Sequence, residues 1–286
     1  MGKRRIAVVK RADSAGAWEL LQKVQDAFPD VQLRLVQDEQ EEACPIKNIE
    51  VVSAESDLSD IDMVLCLGGD GTIIRAAGLF PTRIVPILAV NLGRLGFLAE
   101  IASHELLTLF PKALAEQLPY EDRMRLWAKV ETQGRVVLDQ PVLNDVVVAS
   151  GNLARITTYL VERDGKQLTE FRGDGVVVST PTGSTAYSMA AGGPIVEPGI
   201  EACIVTPICP HHLTHRPVVL RAEGELTIAC VQGNQAFVTL DGQSGYGIHH
   251  GDVIRITKAS VPVRLLQHPD TDHFHTLRTK LLWGQG

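Results

Sequence analysis

A short apolar run that ends in a glycine turn is the feature that most constrains this fold. Residues 62–67 (Asp-Met-Val-Leu-Cys-Leu) suit a buried strand, and residues 68–72 (Gly-Gly-Asp-Gly-Thr) follow directly. The apolar stretch 73–77 comes next and continues as a helix. A strand, a glycine turn and a helix in immediate succession favour an α/β domain, in which ligands bind at the carboxyl ends of the strands.

The alternation of strand and helix extends over the first 120 residues. We predict strands within residues 6–9, 31–36 and 84–90. We also predict a helix that Ser14 caps and that runs to Phe28, and a second helix over residues 103–118. This order predicts an α/β N-terminal domain with a mainly parallel sheet.

The pattern changes after Pro119, where short β-rich runs replace the alternation. Asp164-Gly165 lies between two such runs and is typical of a hairpin turn. One helical stretch is expected at about residues 184–191. We therefore predict an all-β sandwich C-terminal domain. The expected domains are residues 1–120 and 121–266, with a tail, 267–286, that returns to the first.

Composition excludes several classes of protein. The 286 residues include 27 Lys and Arg against 34 Asp and Glu, a net charge of −7, and we expect no nucleic-acid partner. The five cysteines are irregularly spaced without a CxxC pair, which disfavours a disulfide framework and a thiolate zinc site. No apolar stretch approaches the ~18 residues of a membrane span, so we expect a cytoplasmic protein without a membrane partner.

The glycine turn suits phosphate binding. Glycines let the backbone approach a ligand closely, and a helix N-terminus offers unpaired N–H groups with a positive dipole. The alternative is a purely structural turn in which Asp70 caps the helix. The turn is neither a Rossmann fingerprint, because Ile74 stands at the third glycine position, nor a Walker A loop, because no Gly-Lys-Ser/Thr follows.

Two further segments follow predicted strands. Residues 91–98 (Asn-Leu-Gly-Arg-Leu-Gly-Phe-Leu) suit close backbone approach, although a structural turn is an equal alternative. Residues 180–188 carry five hydroxyls, more than a capped turn needs, and Tyr187 adds a face for stacking. The hydroxyls therefore favour contacts to phosphate or ribose oxygens. Asn144-Asp145 could hold ribose hydroxyls, and Arg172 with Asp174 could form a surface ion pair; on their own both pairs favour a structural role.

Together these segments, with residues 192–194 and the turn at 241–243, resemble the NAD kinase family. The resemblance implies transfer of the terminal phosphate of ATP to the adenosine ribose 2′-hydroxyl of NAD, which gives NADP. It makes Asp70 the catalytic base and implies Mg²⁺ or another divalent cation that arrives with ATP, with no protein-held metal. It also implies a homodimer or homotetramer. The sequence departs from the family at Asn144-Asp145, where Asn-Glu is usual.

The resemblance also implies a set of residues that contact NAD or ATP. They are Gly68, Gly69, Asp70, Gly71, Thr72, Arg75, Asn144, Asp145, Arg155, Arg172, Asp174, Thr182, Thr185, Ala186, Tyr187, Ser188, Met189, Ala190 and Gln243.

Two other functions share part of this pattern. A diacylglycerol-type lipid kinase would share the glycine turn, but it would be expected to carry a basic or amphipathic membrane-facing surface. A non-catalytic NAD sensor would differ only in lacking a working Asp70. The choice between ATP, other triphosphates and polyphosphate as donor stays open, as does the choice between NAD and NADH as acceptor.

Overall fold

The computed structural model describes residues 3–12, 14–38, 41–93, 96–151, 157–232 and 236–283. The chain divides into two compact units, Met1–Asp122 with Val263–Gly286 and Arg123–Pro262. In chain order the elements are β1 Arg5–Lys10, α1 Ala15–Ala27, β2 Gln32–Val36, β3 Glu50–Val52, β4 Met63–Leu67, α2 Asp70–Gly78, β5 Ile87–Asn91, β6 Ile101–Ala102, a 3₁₀ turn Ser103–Glu105, α3 Leu106–Leu114, β7 Tyr120–Arg123, β8 Leu126–Thr132, β9 Arg135–Val142, β10 Asp145–Ser150, β11 Thr157–Arg163, β12 Lys166–Gly173, β13 Gly175–Ser179, a 3₁₀ turn Thr182–Thr185, α4 Tyr187–Ala190, β14 Ala202–Ile208, β15 Val218–Arg221, β16 Leu226–Gln232, β17 Ala236–Leu240, β18 Ser244–Ile248, β19 Val253–Lys258, β20 Val263–Leu266 and α5 His273–Leu281.

The first unit is built on one eight-stranded sheet. Its strands lie in the order β3-β2-β1-β4-β5-β20-β7, with β6 beside β5. The pairs from β3 through to β20 are parallel, as is the pair of β5 with β6. The predicted α/β domain with a mainly parallel sheet is confirmed. Near-continuous apolar strands such as Met63–Leu67, buried throughout, are what a parallel sheet covered on both faces requires.

The strand order reverses between β1 and β4. From β1 the chain moves outward to β2 and β3, and it then returns to place β4 on the other side of β1. Backbone hydrogen bonds run to the carboxyl edge at this point, from Arg11 N to Leu67 O at 2.8 Å and from Gly68 N to Val90 O at 2.9 Å. Open α/β sheets bind ligands at such a reversal, and the glycine turn lies there.

Two predicted helices differ in detail from the structure. Ser14 occupies the N-cap position of α1, but its side chain makes no capping hydrogen bond. The helix predicted to reach residue 118 consists of a 3₁₀ turn and α3, which ends at Leu114. The reason is the left-handed backbone of Glu116 (φ 57°), a conformation that terminates helices.

The second unit is a pair of six-stranded antiparallel sheets, as the predicted sandwich requires. One has the order β15-β14-β13-β10-β17-β18 and the other β12-β11-β16-β19-β8-β9. One apolar cluster draws on both, for example Val146 and Val176 from the first and Val130 and Ile254 from the second. The Asp164-Gly165 hairpin turn is confirmed between β11 and β12, with left-handed φ angles of 50° and 72°.

The chain rejoins the first unit near its end. Strand β20 pairs with β5, although the sequence assigned Val263–Leu266 to the second domain; so short an apolar run carries no signal for one sheet over the other. Further on, the Gln267 N–H donates to Pro119 O and the His268 ring meets Glu105 at 3.0 Å. The limits of independently folding domains stay a prediction. Among the described residues, no helix is long and apolar enough to cross a membrane.

Candidate active site

The glycine turn connects β4 to α2 at the strand-order reversal. Gly69 takes the N-cap position, with extended backbone, and Asp70 is the first residue of the helix. Asp70 does not cap the helix as the structural alternative expected, because Gly69 holds the N-cap position. The carboxylate turns instead to another loop.

Both oxygens of Asp70 accept backbone N–H groups from the segment that follows β5. Phe97 N donates to Oδ2 at 2.9 Å, and Leu98 N donates to Oδ1 at 3.0 Å. Because β4 and β5 are parallel neighbours, the loops after them meet at one edge of the sheet. The structure therefore brings together the two glycine segments that the sequence singled out separately.

Four of the five glycines in these two segments fall into two groups. A Cβ built on Gly68 would overlap the Thr72 side chain, and one built on Gly96 would overlap the Asp70 carboxylate, so internal packing requires both glycines. A Cβ built on Gly69 or Gly71 meets no heavy atom within 4 Å, and neither residue has a positive φ. Internal packing therefore does not require glycine at these two positions, and the open space beside them would let a ligand approach the backbone closely.

Three charged side chains form a cluster beside the turn. Lys10 Nζ lies 3.3 Å from Glu41 Oε2, and Arg75 Nη1 donates to Glu41 Oε1 at 2.8 Å. Burial opposes ionisation of Glu41, but the hydrogen bonds and charges of Arg75 and Lys10 outweigh it and lower the pKa of that carboxyl. Arg75, predicted to face a ligand phosphate or NAD, is thus bonded to Glu41 and also donates to Lys10 O at 3.1 Å. The cluster places two cations at the carboxyl edge of the sheet.

In the second unit, Asn144 and Asp145 lie at the start of β10. The Asp241 carboxylate accepts the N–H groups of Leu143 at 2.7 Å, Asn144 at 2.7 Å and Asp145 at 3.1 Å. Burial, with the Asp241 charge as a second cause, raises the pKa of Asp145 to about 7. The side chain of Asp145 therefore titrates close to neutrality.

Most Ser and Thr hydroxyls of segment 180–188 form hydrogen bonds within the protein, whereas the sequence favoured ligand contacts. Thr180 Oγ1 donates to Leu143 O at 2.6 Å, and Ser184 Oγ donates to Pro181 O at 2.6 Å. The Thr185 and Ser188 hydroxyls bond to Thr182 O and to the Thr206 hydroxyl. Four of the five hydroxyls thus have protein partners, because this compact turn must satisfy its own buried backbone groups.

The fifth hydroxyl, Thr182 Oγ1, is a buried polar atom without a protein partner among the described residues; Asn144 Oδ1 and Ser179 Oγ share this property close to it in the chain's fold, and Gln25 Oε1 and Thr157 Oγ1 share it elsewhere. Buried polar atoms are rarely left unpaired, so the three neighbouring atoms indicate a place for a polar ligand. Close by is a cleft of about 260 Å³ lined by Asn144, Asp145, Val147, Ala186, Tyr187, Thr239, Asp241 and Gly242.

Two of the other predicted contacts, Arg172 and Asp174, lie away from this cleft. Arg172 and Asp174 are exposed around the turn between β12 and β13, beside Ser150 at the far end of β10 from Asp145. The two ends of β10 are five residue steps apart, roughly 17 Å. No ion pair joins Arg172 to Asp174 in the described part of the chain. Gln243 is exposed in the turn after β17, and Met189 and Ala190 complete α4. Arg155 lies outside the described residues, as do Arg94 and Leu95 of the segment 91–98.

Sequence reasoning assigned no contact to four residues that shape these places. Lys10 is a charged residue that directly follows a buried apolar strand, which was a usable signal. Asp241 belongs to an Asp-Gly doublet that marks a turn, but nothing local indicates which backbone groups its carboxylate bonds. Glu41 and Ser179 carried no local signal.

Fold and site together define a phosphotransferase that handles nucleotides. Residues 16–118 match the family model described as the ATP-NAD kinase N-terminal domain, and residues 143–268 match the ATP-NAD kinase C-terminal domain. The chain is 50% identical over 229 residues to the NAD kinase of Citrifermentans bemidjiense and 49% identical to that of a Geobacter species, strain M21. Each alignment covers 79% of this chain and 80% of the relative. The chain therefore belongs to the NAD kinase family, the enzymes that phosphorylate NAD with ATP.

Two solved structures share the fold. A yeast NADH kinase complexed with NADH superposes with a TM-score of 0.90 at 24% identity, over 100% of this chain and 89% of that one. An NAD kinase from Archaeoglobus fulgidus in complex with ATP gives a TM-score of 0.77 at 27% identity, over 97% and 98%. The NAD kinase relatives favour neither of the two alternatives, a lipid kinase or a sensor.

Proposed function

We propose that the enzyme transfers the γ-phosphoryl group of ATP to the 2′-hydroxyl of the adenosine ribose of NAD, with Asp70 as the catalytic base. The observation that carries the proposal is the placement of Asp70. Its carboxylate stands at the start of α2, is held by two backbone N–H groups, and is flanked by two glycines that packing does not require.

The proposed step is an in-line displacement. The 2′-oxygen forms a bond to the γ-phosphorus, the bond from that phosphorus to the oxygen shared with the β-phosphate breaks, and ADP leaves. Asp70 takes the hydroxyl proton, which its carboxylate can do because each oxygen has a lone pair beyond the one that accepts a backbone N–H. Phosphoryl transfer depends mainly on positioning and charge neutralisation. Arg75 is 31% exposed and paired with Glu41, and the family resemblance retains it as the cation that faces a ligand phosphate or NAD.

The second unit supplies the proposed contacts to NAD. The unpaired Asn144 and Thr182 oxygens, the Asp145 carboxyl and the exposed ring of Tyr187 support this assignment. The family resemblance keeps the other predicted contacts in the proposal. They are Arg155, Arg172, Asp174, Thr185, Ala186, Ser188, Met189, Ala190 and Gln243.

A divalent cation is part of the proposal. The described residues contain no group of three or more His, Cys, Asp or Glu side chains that could hold a metal by themselves. That fits Mg²⁺ carried in on the phosphates of ATP, since this ion commonly binds through substrate phosphates and keeps several waters. When bound, the cation neutralises the charge of the transferred phosphoryl group.

The two solved structures support the substrates, since one carries ATP and the other NADH. The family resemblance supports a homodimer or homotetramer, which sedimentation velocity would test.

The test is a coupled assay. Protein, NAD, ATP and Mg²⁺ are incubated, and the product is read with a dehydrogenase that accepts only NADP, so that the 2′-phosphate is detected. We expect NADP from the complete mixture and none after chelation with EDTA. A phosphorylated dinucleotide that the dehydrogenase rejects would contradict the 2′ assignment, and undiminished activity in EDTA would contradict the cation.

A further inference from the structure

The turn between β17 and β18 contains a carboxylate that the turn itself does not need. Asp241 and Gly242 have left-handed φ angles of 53° and 66°. Asp164 and Gly165 form the same kind of turn between β11 and β12, with φ angles of 50° and 72°. Asp, Asn and Gly all tolerate this backbone, so the conformation does not select for a carboxylate at position 241.

The two aspartates differ in what their side chains bond. Asp164 is exposed, and its carboxylate accepts from Glu225 N at 2.8 Å and from the guanidinium of Arg163. Asp241 instead accepts three consecutive N–H groups, those of Leu143, Asn144 and Asp145. Three converging backbone donors fix the path of a chain segment more tightly than one bond does.

The segment is also held from its other side. Thr180 N donates to Asn144 O at 2.9 Å, and a Cβ built on Gly183 would overlap that same carbonyl group. The peptide of Asn144 therefore lies between Asp241 and the hydroxyl-rich turn, which leaves it a single path. Its side-chain oxygen is one of the buried polar atoms without a protein partner.

This arrangement carries an unfavourable feature. Burial raises the pKa of Asp241 despite the three backbone hydrogen bonds, and Asp145 close by is raised as well. The charge of the half-buried Asp241 opposes ionisation of the buried Asp145, although the charge of Arg125 partly offsets the burial of Asp241, and a structural turn would avoid such a pair. Such pairings are concentrated where a site needs them.

We propose that Asp241 is a positioning residue for substrate binding: by gathering the three N–H groups it sets the orientation in which Asn144 and Asp145 meet NAD. The inference rests on the proposed function of these two residues. Asp241 touches the backbone behind them and is not assigned a contact with substrate.

The experiment compares Asp241→Asn and Asp241→Gly with the matched turn variant Asp164→Asn, in the full-length enzyme. Asn and Gly keep the left-handed backbone; Asn retains one acceptor oxygen and Gly none. Steady-state kinetics with NAD and ATP varied separately give KM and kcat, and thermal unfolding checks that each variant is folded. We expect the KM for NAD to rise about tenfold in Asp241→Asn and further in Asp241→Gly, with kcat and the KM for ATP within about threefold of the parent.

Three results would overturn the proposal: a KM for NAD in Asp241→Gly within about twofold of the parent, equal losses for both substrates, or the same KM change in Asp164→Asn. The variant Asn144→Ala separates this inference from the site assignment. If it leaves the KM for NAD unchanged, the proposed NAD site itself fails. If it raises that KM while the Asp241 variants do not, only the positioning role fails.

Discussion

Gly96 leaves the space that the carboxylate of Asp70 occupies. A Cβ at Gly96 would overlap that carboxylate, whose two oxygens accept the N–H groups of the next two residues in the loop. The position of the proposed catalytic base is thus set by the packing of a neighbouring loop as much as by its own helix.

We predict that Gly96→Ala lowers kcat by up to about a hundredfold, because a displacement of about 1 Å in a reacting group has effects of that size. Gly78→Ala is the control, since it lies at the other end of α2 and its added Cβ meets nothing within 4 Å. Initial rates for both variants check the prediction, which is contradicted if they agree within about threefold.

We predict that replacing a glycine of the turn by alanine has opposite effects on stability and on donor binding. Gly71 is the second residue of α2, where alanine is favoured over glycine by up to about 1 kcal/mol, and its Cβ has room in the protein. Gly71→Ala should therefore melt at the same or a higher temperature while its KM for ATP rises about tenfold through lost backbone approach.

Gly16, the second residue of α1, is the matched control for that experiment. Gly16→Ala should gain stability without any change in KM for ATP. An unchanged KM in Gly71→Ala would show that no donor phosphate lies against this turn.

The cluster beside the turn predicts a stability effect. Lys10 and Glu41 side chains are 1% and 9% exposed. Glu41→Gln would leave the buried ammonium without its counter-charge, and we expect unfolding at pH 7 to become easier by about 3 kcal/mol. Because the pKa of Glu41 is lowered, its contribution is present above its ordinary value near 4.5 and lost as the pH falls through the lower folded value. Urea unfolding at pH 7 measures the loss of stability, and urea unfolding at pH 3 tests whether the loss disappears in acid. The control is Glu19→Gln, in an exposed pair with Lys23, which should change the free energy of unfolding little. Equal midpoints for Glu41→Gln and the parent at pH 7 would contradict the prediction.

The raised pKa of Asp145 predicts a pH dependence of the opposite sign. The folded value is about 7 against an ordinary 3.8, so between these values the folded state keeps a proton that the unfolded state releases. The free energy of unfolding therefore falls as the pH rises from about 4 to 7 and is constant above. Asp145→Asn removes this fall, and its stability relative to the parent should increase by on the order of 2 kcal/mol from pH 5 to pH 8. Parallel profiles of the two proteins over this pH range would refute the assignment.

Most of the fold could be predicted because the apolar and turn patterns of the sequence match the burial and turns of the folded chain. Met63–Leu67 is apolar throughout and lies inside a parallel sheet, and the Asp164-Gly165 doublet forms the turn it predicts. The exceptions arise where tertiary structure decides. β20 is four residues long, so its sheet is chosen by the chain's path, and α3 ends early at the left-handed Glu116.

For the candidate site, the sequence indicated which residues take part but not which contacts they make. Asp70 and the loop 91–98 could be singled out, but the bonds from Phe97 and Leu98 to that carboxylate depend on two loops that meet only in the folded sheet. The hydroxyls of segment 180–188 indicated ligand contacts, yet most of them bond the protein, since local composition cannot distinguish these uses.

The most direct test of the account is the change Asp70→Asn. NADP formation would be followed with the NADP-specific dehydrogenase, and NAD binding to the same protein by titration calorimetry. We predict that turnover falls at least about a hundredfold, as expected when a positioned base is removed, while the dissociation constant for NAD stays within about threefold. Turnover close to that of the parent, in folded protein, would contradict the assignment of Asp70 as the base.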